Sequence, residues 1–306
     1  MDGLTGLFKP ISMYHKKNNA LFLCTETLIR RNRMAKDENP IITLATDFGG
    51  SDHFVGAMKG VILNINPRAS VIDITHDIET GNIRQAAFCL NHYHAFYPKG
   101  TIHVCVVDPG VGTDRRGILI ETDSYTFVAP DNGCCTFILD RYPSARVYSL
   151  TARKYFLPRV SHTFHGRDIF APVAAWLSQK VPPPRFGERV SNPVTFKVSP
   201  PVRTGEDTIL GEVLYVDKFG NLITTIPADY LEEEEKKSRK RCLEIRIKEK
   251  NIPVFGRTYA AVDPGELLGL IGSAGYLEIA ANQDSAQKKL GVATGDPVIL
   301  KFVREA

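Results

Sequence analysis

The sequence has no apolar run long enough to cross a membrane. Roughly 18 consecutive apolar residues are needed to span a bilayer. The N-terminal run 20–24 has only five, too few even for the core of a signal peptide. We therefore expect no membrane association. The segment before Met34 is basic and has two acidic residues, so both organelle targeting and a true start at Met34 remain open.

Metal-ligand and nucleic-acid patterns are also missing. The six cysteines match no zinc spacing and the eight histidines include no HxxxH pair, so we expect no metal. The net charge of +4 is small, and no basic stripe is interleaved with aromatic residues, which argues against a nucleic-acid partner. Cys89 and Cys105 lie in apolar runs, where cysteine is usually a reduced core residue. We therefore expect a reducing compartment, the cytoplasm.

The dinucleotide-binding glycine motif is incomplete. Gly110 and Gly112 follow a strand-like run, but Arg115 occupies the third glycine position and no helix-like run follows. A nicotinamide enzyme is therefore disfavoured. The glycines instead permit a tight turn that could direct Asp108 and Arg115 into one pocket. A surface turn with an Asp–Arg ion pair is the simpler alternative.

What the sequence does contain is an alternation of strand-like and helix-like runs from Ile41 onward. The 306 residues are 43% apolar and 24% charged, which is normal for a globular protein, and the length fits two domains. Unbroken apolar runs such as 101–107 are typical of strands buried on both faces. We predict an α/β domain with a mostly parallel sheet over 41–188, including a helix over 169–177 capped by Asp168.

The rest of the chain has a different character. Residues 1–40 precede the pattern and are predicted to be an N-terminal extension. Three consecutive prolines at 182–184 break the alternation, and strand-like runs dominate 195–306, which predicts a C-terminal β-barrel domain. The charge block 232–241 carries opposite charges four residues apart and is predicted to be a solvated helix or loop insertion.

Polar residues mark two strand ends and one helix start. Asp47 and Asp108 follow apolar runs, where open α/β sheets bind their ligands. His165 precedes a helix N-terminus, which favours close approach of a small or anionic group. Each also has an ordinary structural explanation, because an Asp in this position can form a turn and a histidine can be a satisfied core residue.

Two further segments lie in the second half. Residues 217–221 interrupt two strands, and a hairpin turn is the favoured interpretation. The functional alternative uses Asp217 for an ammonium group, Phe219 for stacking and Asn221 for contact with a base. Ser273 could supply a hydroxyl for a carboxylate, or belong to a plain turn.

In combination, the polar segments resemble a known family. The series consists of Thr46-Asp47-Phe48-Gly49, Asp73-Ile74-Thr75-His76, Pro98-Lys99-Gly100-Thr101, Asp108-Pro109-Gly110-Val111-Gly112-Thr113, Pro130-Asp131-Asn132-Gly133, Thr163-Phe164-His165-Gly166-Arg167-Asp168-Ile169-Phe170 and Phe219-Gly220-Asn221. It resembles the S-adenosyl-L-methionine (SAM) hydroxide adenosyltransferase family, relatives of the SAM-dependent fluorinase and chlorinase, over about residues 41–303.

The resemblance implies a fold, a reaction and an assembly. The fold is an N-terminal α/β domain with a C-terminal β-barrel. The reaction converts SAM and water into adenosine and L-methionine, with SAM as the substrate and no cofactor. The assembly is a homotrimer in which SAM lies between the N-terminal domain of one subunit and the C-terminal domain of its neighbour.

The resemblance also implies roles for particular residues. The catalytic triad falls on Asp108, Arg115 and His165. The substrate-binding positions are Asp47 for the ribose, Asp217 for the methionine amine, Asn221 for the adenine edge, Ser273 for the methionine end, and Phe164 and Phe219 for apolar walls.

Two alternative functions stay open. A SAM-dependent halogenase uses the same scaffold, but a carboxylate at Asp108 would repel a halide ion. A SAM- or adenosine-binding sensor is the other alternative, although a protein that only binds needs no polar cluster beside C5′ of the substrate.

Overall fold

The computed structural model describes residues 39–238, 241–252 and 256–303. The predicted N-terminal extension lies outside these residues apart from its last two positions. Within the described ranges, every helix is too short or too polar to cross a bilayer.

A six-stranded mixed sheet forms the N-terminal half. Its strands are β1 (Ile41–Thr46), β2 (Ser70–Thr75), β3 (Ile102–Val106), β4 (Gly117–Glu121), β5 (Thr126–Pro130) and β6 (Arg146–Ser149), in the order β2-β1-β3-β5-β4-β6. The pairs β1–β2, β1–β3 and β3–β5 are parallel, whereas β4 is antiparallel to β5 and β6. Every strand except β4 therefore runs in one direction, and their carboxyl ends share one edge.

Helices cover both faces of this sheet. α1 (Phe54–Ile65) and α4 (Ala171–Ser178) pack on one face, and α2 (Ile83–Tyr93) and α3 (Thr136–Arg141) on the other. Successive strand side chains point to opposite faces, so Val104 and Val106 of β3 join the first core while Cys105 and Val107 join the second. Burial on both faces explains the unbroken apolar runs of the sequence.

The segment before α4 differs from the predicted helix start. Asp168 was expected to cap a helix beginning at Ile169, and this expectation is wrong. A π-helical turn, Gly166–Phe170, leads directly into α4, and Asp168 lies inside it, fully buried. Its carboxylate accepts hydrogen bonds from the Ser161 amide (2.8 Å) and the Arg167 Nε (2.7 Å). Asp168 therefore fastens the preceding loop to the turn instead of starting the helix.

An antiparallel sheet forms the C-terminal half. Its strands are β7 (Val202–Gly205), β8 (Thr208–Val216), β9 (Leu222–Pro227), β10 (Arg241–Ile247), β11 (Lys250–Ile252), β12 (Leu267–Ile271), β13 (Tyr276–Ala281) and β14 (Pro297–Val303). The order is β11-β10-β14-β8-β9-β13-β12, with β7 paired to β8. The end strands β11 and β12 contact each other, so the sheet is a nearly closed barrel. The predicted fold class is confirmed.

Two helices accompany the barrel strands, α5 (Ala228–Ser238) and α6 (Ala286–Leu290). The first contains most of the charge block, and its predicted pairs are present, with Lys236 3.7 Å from Glu232 and Lys237 3.2 Å from Glu233. The helix interpretation is therefore confirmed for residues 232–238, whereas the last residue of the block, Arg241, begins β10.

The two halves meet at an aromatic contact and along the connecting segment. Phe88 of α2 stacks on Tyr215 of β8, with ring centroids 4.5 Å apart. The connection is held by Arg116, which donates to the Asp131 carboxylate (2.8 Å) and to the Asn192 carbonyl (2.9 Å). The limits 41–188 and 195–306 proposed for the two domains stay predictions.

Candidate functional site

The shared carboxyl edge of the sheet holds a pocket whose wall contains several polar side chains. Asp47 follows β1 and Asp108 follows β3, and these strands are parallel neighbours. The loop before the π-helical turn brings Phe164 and His165 to the same place, where all four residues line a cavity of about 360 Å³. We call this cavity the sheet-edge pocket. Its location is the usual one for ligands in open α/β sheets.

Asp108, Arg115 and His165 form one hydrogen-bonded cluster. The Arg115 Nε donates to both carboxylate oxygens of Asp108, at 2.9 and 3.0 Å, and Nη2 donates to the Oδ2 oxygen. The same Nη2 lies 2.7 Å from Nδ1 of His165. The side chains of Asp108 and Arg115 are 5% and 11% exposed. Charge-assisted pairs of this kind are strong and geometrically specific.

Arg115 stands behind the pocket and not in its lining. Asp108 and His165 line the cavity, and Arg115 bridges them from the protein side. Its guanidinium carbon lies 5.4 Å from the ring centroid of Phe170, which is fully buried in the π-helical turn. The aromatic face supports a cation held away from water. Arg115 therefore influences the pocket through the two side chains that it holds.

The arginine also determines the tautomer of His165. A guanidinium has only donors, so Nδ1 of His165 must accept, and the proton of the neutral ring resides on Nε2. Burial, and next the positive charge of Arg115, lower the pKa of His165 below its ordinary value of 6.5. The imidazole is therefore neutral at neutral pH and presents Nε2–H as a donor.

Gly112 allows the two loops of the cluster to meet. It has a φ of +79°, and a Cβ placed there would be 2.2 Å from the carbonyl oxygen of His162. The Asp108–Arg115 loop thus packs backbone to backbone against the loop that ends at His165. This contact keeps Nη2 of Arg115 within reach of the imidazole.

Sequence reasoning missed several residues of the sheet-edge pocket. Phe48 and Phe54 pack with Phe164 edge to face, with ring centroids 5.8 and 5.1 Å from that of Phe164, and both line the cavity. Gly166 makes room for this cluster, since its Cβ would be 3.2 Å from Phe48. The Gly81 amide donates to the Asp47 Oδ2 (2.9 Å). The position of Phe48 beside Asp47 was the available signal.

The remaining predicted residues line a second cavity. Asp217, Phe219, Asn221 and Ser273 border a space of about 1120 Å³ between the barrel and α2, which we call the barrel pocket. Among the residues that the structure describes, none lines both pockets. The structure therefore gathers the predicted site residues into two separate groups within one chain.

The segment 217–221 is the expected hairpin turn between β8 and β9. Asp217 Oδ1 accepts from the amides of Phe219 and Asn221, both at 2.9 Å, and Oδ2 accepts from the Asn221 side chain at 2.9 Å. The turn leaves the Phe219 ring 76% exposed. Most of the hydrogen-bonding capacity of Asp217 is thus used inside its own turn.

A metal centre has no candidate in the described ranges, where no group of three or more His, Cys, Asp or Glu residues could hold an ion.

A pocket beyond the ends of parallel strands is where α/β proteins bind small molecules, so the fold and the site indicate a protein of this class. Comparison with known families identifies which one. The SAM hydroxide adenosyltransferase N-terminal domain matches residues 42–187, and the C-terminal domain of the same family matches 211–299. The chain belongs to the SAM hydroxide adenosyltransferase family.

Individual relatives agree with this assignment. The chain is 37% identical over 259 residues to an (R)-S-adenosyl-L-methionine hydrolase of Salinispora tropica, covering 84% of this chain and 96% of the relative. It is 25% identical over 275 residues to a fluorinase of Actinopolyspora mzabensis, covering 80% and 92%. A crystal structure of an uncharacterized conserved protein from Thermotoga maritima superposes with a TM-score of 0.78 at 40% identity, covering 85% and 99%.

The loop contact at Gly112 yields a stability prediction. Gly112→Ala should destabilise the protein more than Gly100→Ala, because both positions have a positive φ but only Gly112 faces a backbone clash. We expect the difference in unfolding free energy to be about 1–3 kcal/mol, the usual penalty for overpacking. Urea denaturation of the two variants measures it. Equal losses would show that the loops are not tightly packed there.

Proposed function

We propose that this chain hydrolyses SAM to adenosine and L-methionine by attack of water on C5′. The observation that carries the proposal is the Asp108–Arg115–His165 cluster at the wall of a pocket, with a buried Asp108–Arg115 pair and a half-buried His165, in a chain whose relatives include (R)-S-adenosyl-L-methionine hydrolases. The leaving group is a neutral thioether, so its departure needs neither a general acid nor a metal. The catalytic requirement is a water molecule positioned in line with the C5′–S bond.

The geometry of the cluster favours a different role for each of its three residues. His165 donates from Nε2 to the oxygen of the water, and Asp108 accepts a water proton. Arg115 touches neither the water nor SAM and is a positioning residue that holds both partners. The oxygen forms a bond to C5′ as the C5′–S electrons move to the sulfonium sulfur. Attack creates an oxonium much more acidic than a carboxylic acid, so an arginine-paired carboxylate is a sufficient base.

The other pocket residues fit the rest of SAM. Gly81 holds one oxygen of Asp47, which leaves the other to accept from the ribose hydroxyls, and Phe164 walls the pocket against bulk water. In the barrel pocket, Asn221 retains a carbonyl and one N–H for the adenine edge. Asp217 and Ser273 serve the methionine end, and Phe219 is an exposed apolar wall.

We also propose that the active site is completed by a neighbouring subunit of a homotrimer. The ribose and nucleophile groups line one pocket and the adenine and methionine groups line another, and the two linings share no residue within the described part of the chain. The barrel pocket exposes Phe96 and Phe219 at 88% and 76%, which favours a partner surface over water. A ring of head-to-tail contacts would join the two pockets.

The proposed compartment is the cytoplasm. Cys89, Cys105, Cys134 and Cys135 are all free thiols, and the last three are buried. Unpaired cysteines are typical of proteins kept in reducing surroundings.

Product analysis tests the proposed reaction. Purified protein incubated with SAM, with and without chloride, should release adenosine and methionine at the same rate in both buffers. Arg115→Ala should retain SAM binding but lose at least about a hundredfold in kcat, because the nucleophile loses its positioned partners. Chlorinated nucleoside would indicate the halogenase. Tight SAM binding with no adenosine would indicate the binding protein.

The pH profile of kcat tests the role assigned to His165. Because its pKa is lowered in the folded protein, the ring protonates only below its ordinary value of 6.5. A charged ring cannot accept from Arg115, so activity should fall toward acid with a midpoint below 6.5. His165→Asn keeps an acceptor at the Nδ1 position but does not titrate, so it should show a lower kcat without this acid limb. A midpoint above 6.5, or the same limb in the variant, contradicts the assignment.

Subunit complementation tests the shared active site. Asp108→Asn damages the sheet-edge pocket and Asn221→Ala damages the barrel pocket. Random co-assembly of equal amounts should restore about a quarter of the wild-type sites, because an intact site takes one undamaged pocket from each of two chains. The matched control pairs Asp108→Asn with His165→Asn, which damage the same pocket and should not complement. A site contained in one chain would give no recovery in either mixture.

A further inference from the structure

Besides Asp217, the barrel pocket contains another carboxylate, Glu278, which has no role in the assignments above. It lies on β13, is only 5% exposed, and lines the barrel pocket together with Ser273 and Asp217. Carboxylates are almost never buried to this degree without a partner for their charge. The surroundings of Glu278 therefore bear on what the pocket binds.

The two carboxylate oxygens of Glu278 differ in their hydrogen bonding. The Tyr259 hydroxyl donates to Oε1 at 2.8 Å, whereas Oε2 accepts no hydrogen bond from any described residue. This second oxygen lies against Gly272, where a Cβ would be 2.2 Å away. The φ of Gly272 is not positive, so the backbone conformation does not require glycine at this position. Glycine fits here because a side chain would collide with the Glu278 carboxylate.

The charges around Glu278 are unfavourable to it in the absence of a ligand. Burial is the largest cause that raises the pKa of Glu278, and the negative charge of Asp217 raises it further. Asp284, also in the lining, is paired with Lys289 at 3.2 Å. Lys288 is exposed at the rim. Two carboxylates, Asp217 and Glu278, thus face one pocket, and the described lining residues include no buried cation between them.

Asp217 cannot satisfy a cation alone. Its oxygens already accept three hydrogen bonds from their own turn, which leaves room for about one more. A primary ammonium offers three donors and a full positive charge. The vacant oxygen of Glu278 supplies the acceptor that Asp217 lacks, and Ser273 stands beside it for an adjoining carboxylate.

We propose that Glu278 is a second carboxylate ligand for the α-ammonium group of the methionine moiety of SAM. The inference rests on the proposed function, because it takes SAM as the occupant of the barrel pocket. The ammonium lies between Asp217 and Glu278 and offsets the repulsion between them. The adenine amino group, which is neutral, would leave that repulsion in place. Recognition of the amino-acid end is therefore by charge.

The test compares SAM with its analogue in which hydrogen replaces the α-amino group. Glu278→Gln keeps an acceptor for Tyr259 but removes the charge. We expect it to raise Kd and KM for SAM at least about tenfold, because hydrogen bonds to charged groups are strong, with kcat little changed. For the deamino analogue, variant and wild type should bind alike. Glu266→Gln, an exposed carboxylate before β12, is the matched control and should change neither ligand.

The outcomes separate the inference from the function. Equal SAM affinity in wild type and Glu278→Gln overturns the inference, as does an equal loss for SAM and the deamino analogue, which would indicate a structural role. No adenosine from the wild type overturns the proposed function, and the Kd comparison then decides the inference. Should Glu278→Gln fail to fold, Gly272→Ala displaces Oε2 with the charge retained and should show the same selective loss for SAM.

Discussion

The bridge from Arg115 to both Asp108 and His165 is the interaction on which the site depends. One guanidinium neutralises a buried carboxylate and fixes the histidine tautomer through Nδ1. Burial, and next the charge of Arg115, lower the pKa of His165 and so disfavour its charged form. A lone buried carboxylate would carry a large desolvation penalty, and a lone histidine could present either nitrogen. Arg115 contacts both residues from the protein side of the pocket wall. The cluster therefore presents to the pocket only Asp108, an acceptor, and His165, a donor.

Strand ends and loops at one edge of the sheet bring the three residues of this bridge together. Adjacent parallel strands deliver Asp47 and Asp108 to one edge, and the π-helical turn, fastened by Asp168, presents His165 opposite them. Gly112 then lets the two loops approach at backbone distance. The barrel holds the second set of polar groups away from this edge, and carboxylates are prominent among them. In the proposed assembly, one SAM molecule spans the two sets with its sulfonium and ammonium charges.

Strand ends were predictable from the sequence, whereas side-chain directions were not. Unbroken apolar runs placed Asp47 and Asp108 at the sheet edge because burial on both faces leaves a clear pattern. The π-helical turn escaped prediction, since its residues 166–170 suit an ordinary helix start. The position of Arg115 behind the pocket depends on packing against Phe170. Glu278 alternates with apolar neighbours, as an exposed strand residue would, yet it is buried. The roles of the individual site residues came from the resemblance to the family.

The origin of the oxygen in the product tests the central claim most directly. SAM is turned over by the purified protein in water enriched in oxygen-18, without halide, and the adenosine is examined by mass spectrometry after a single turnover. Attack of a water held by Asp108 and His165 on C5′ predicts one heavy oxygen in each adenosine, on the 5′ position, and none in methionine. Adenosine without the label, or label in methionine, would contradict attack of water at C5′.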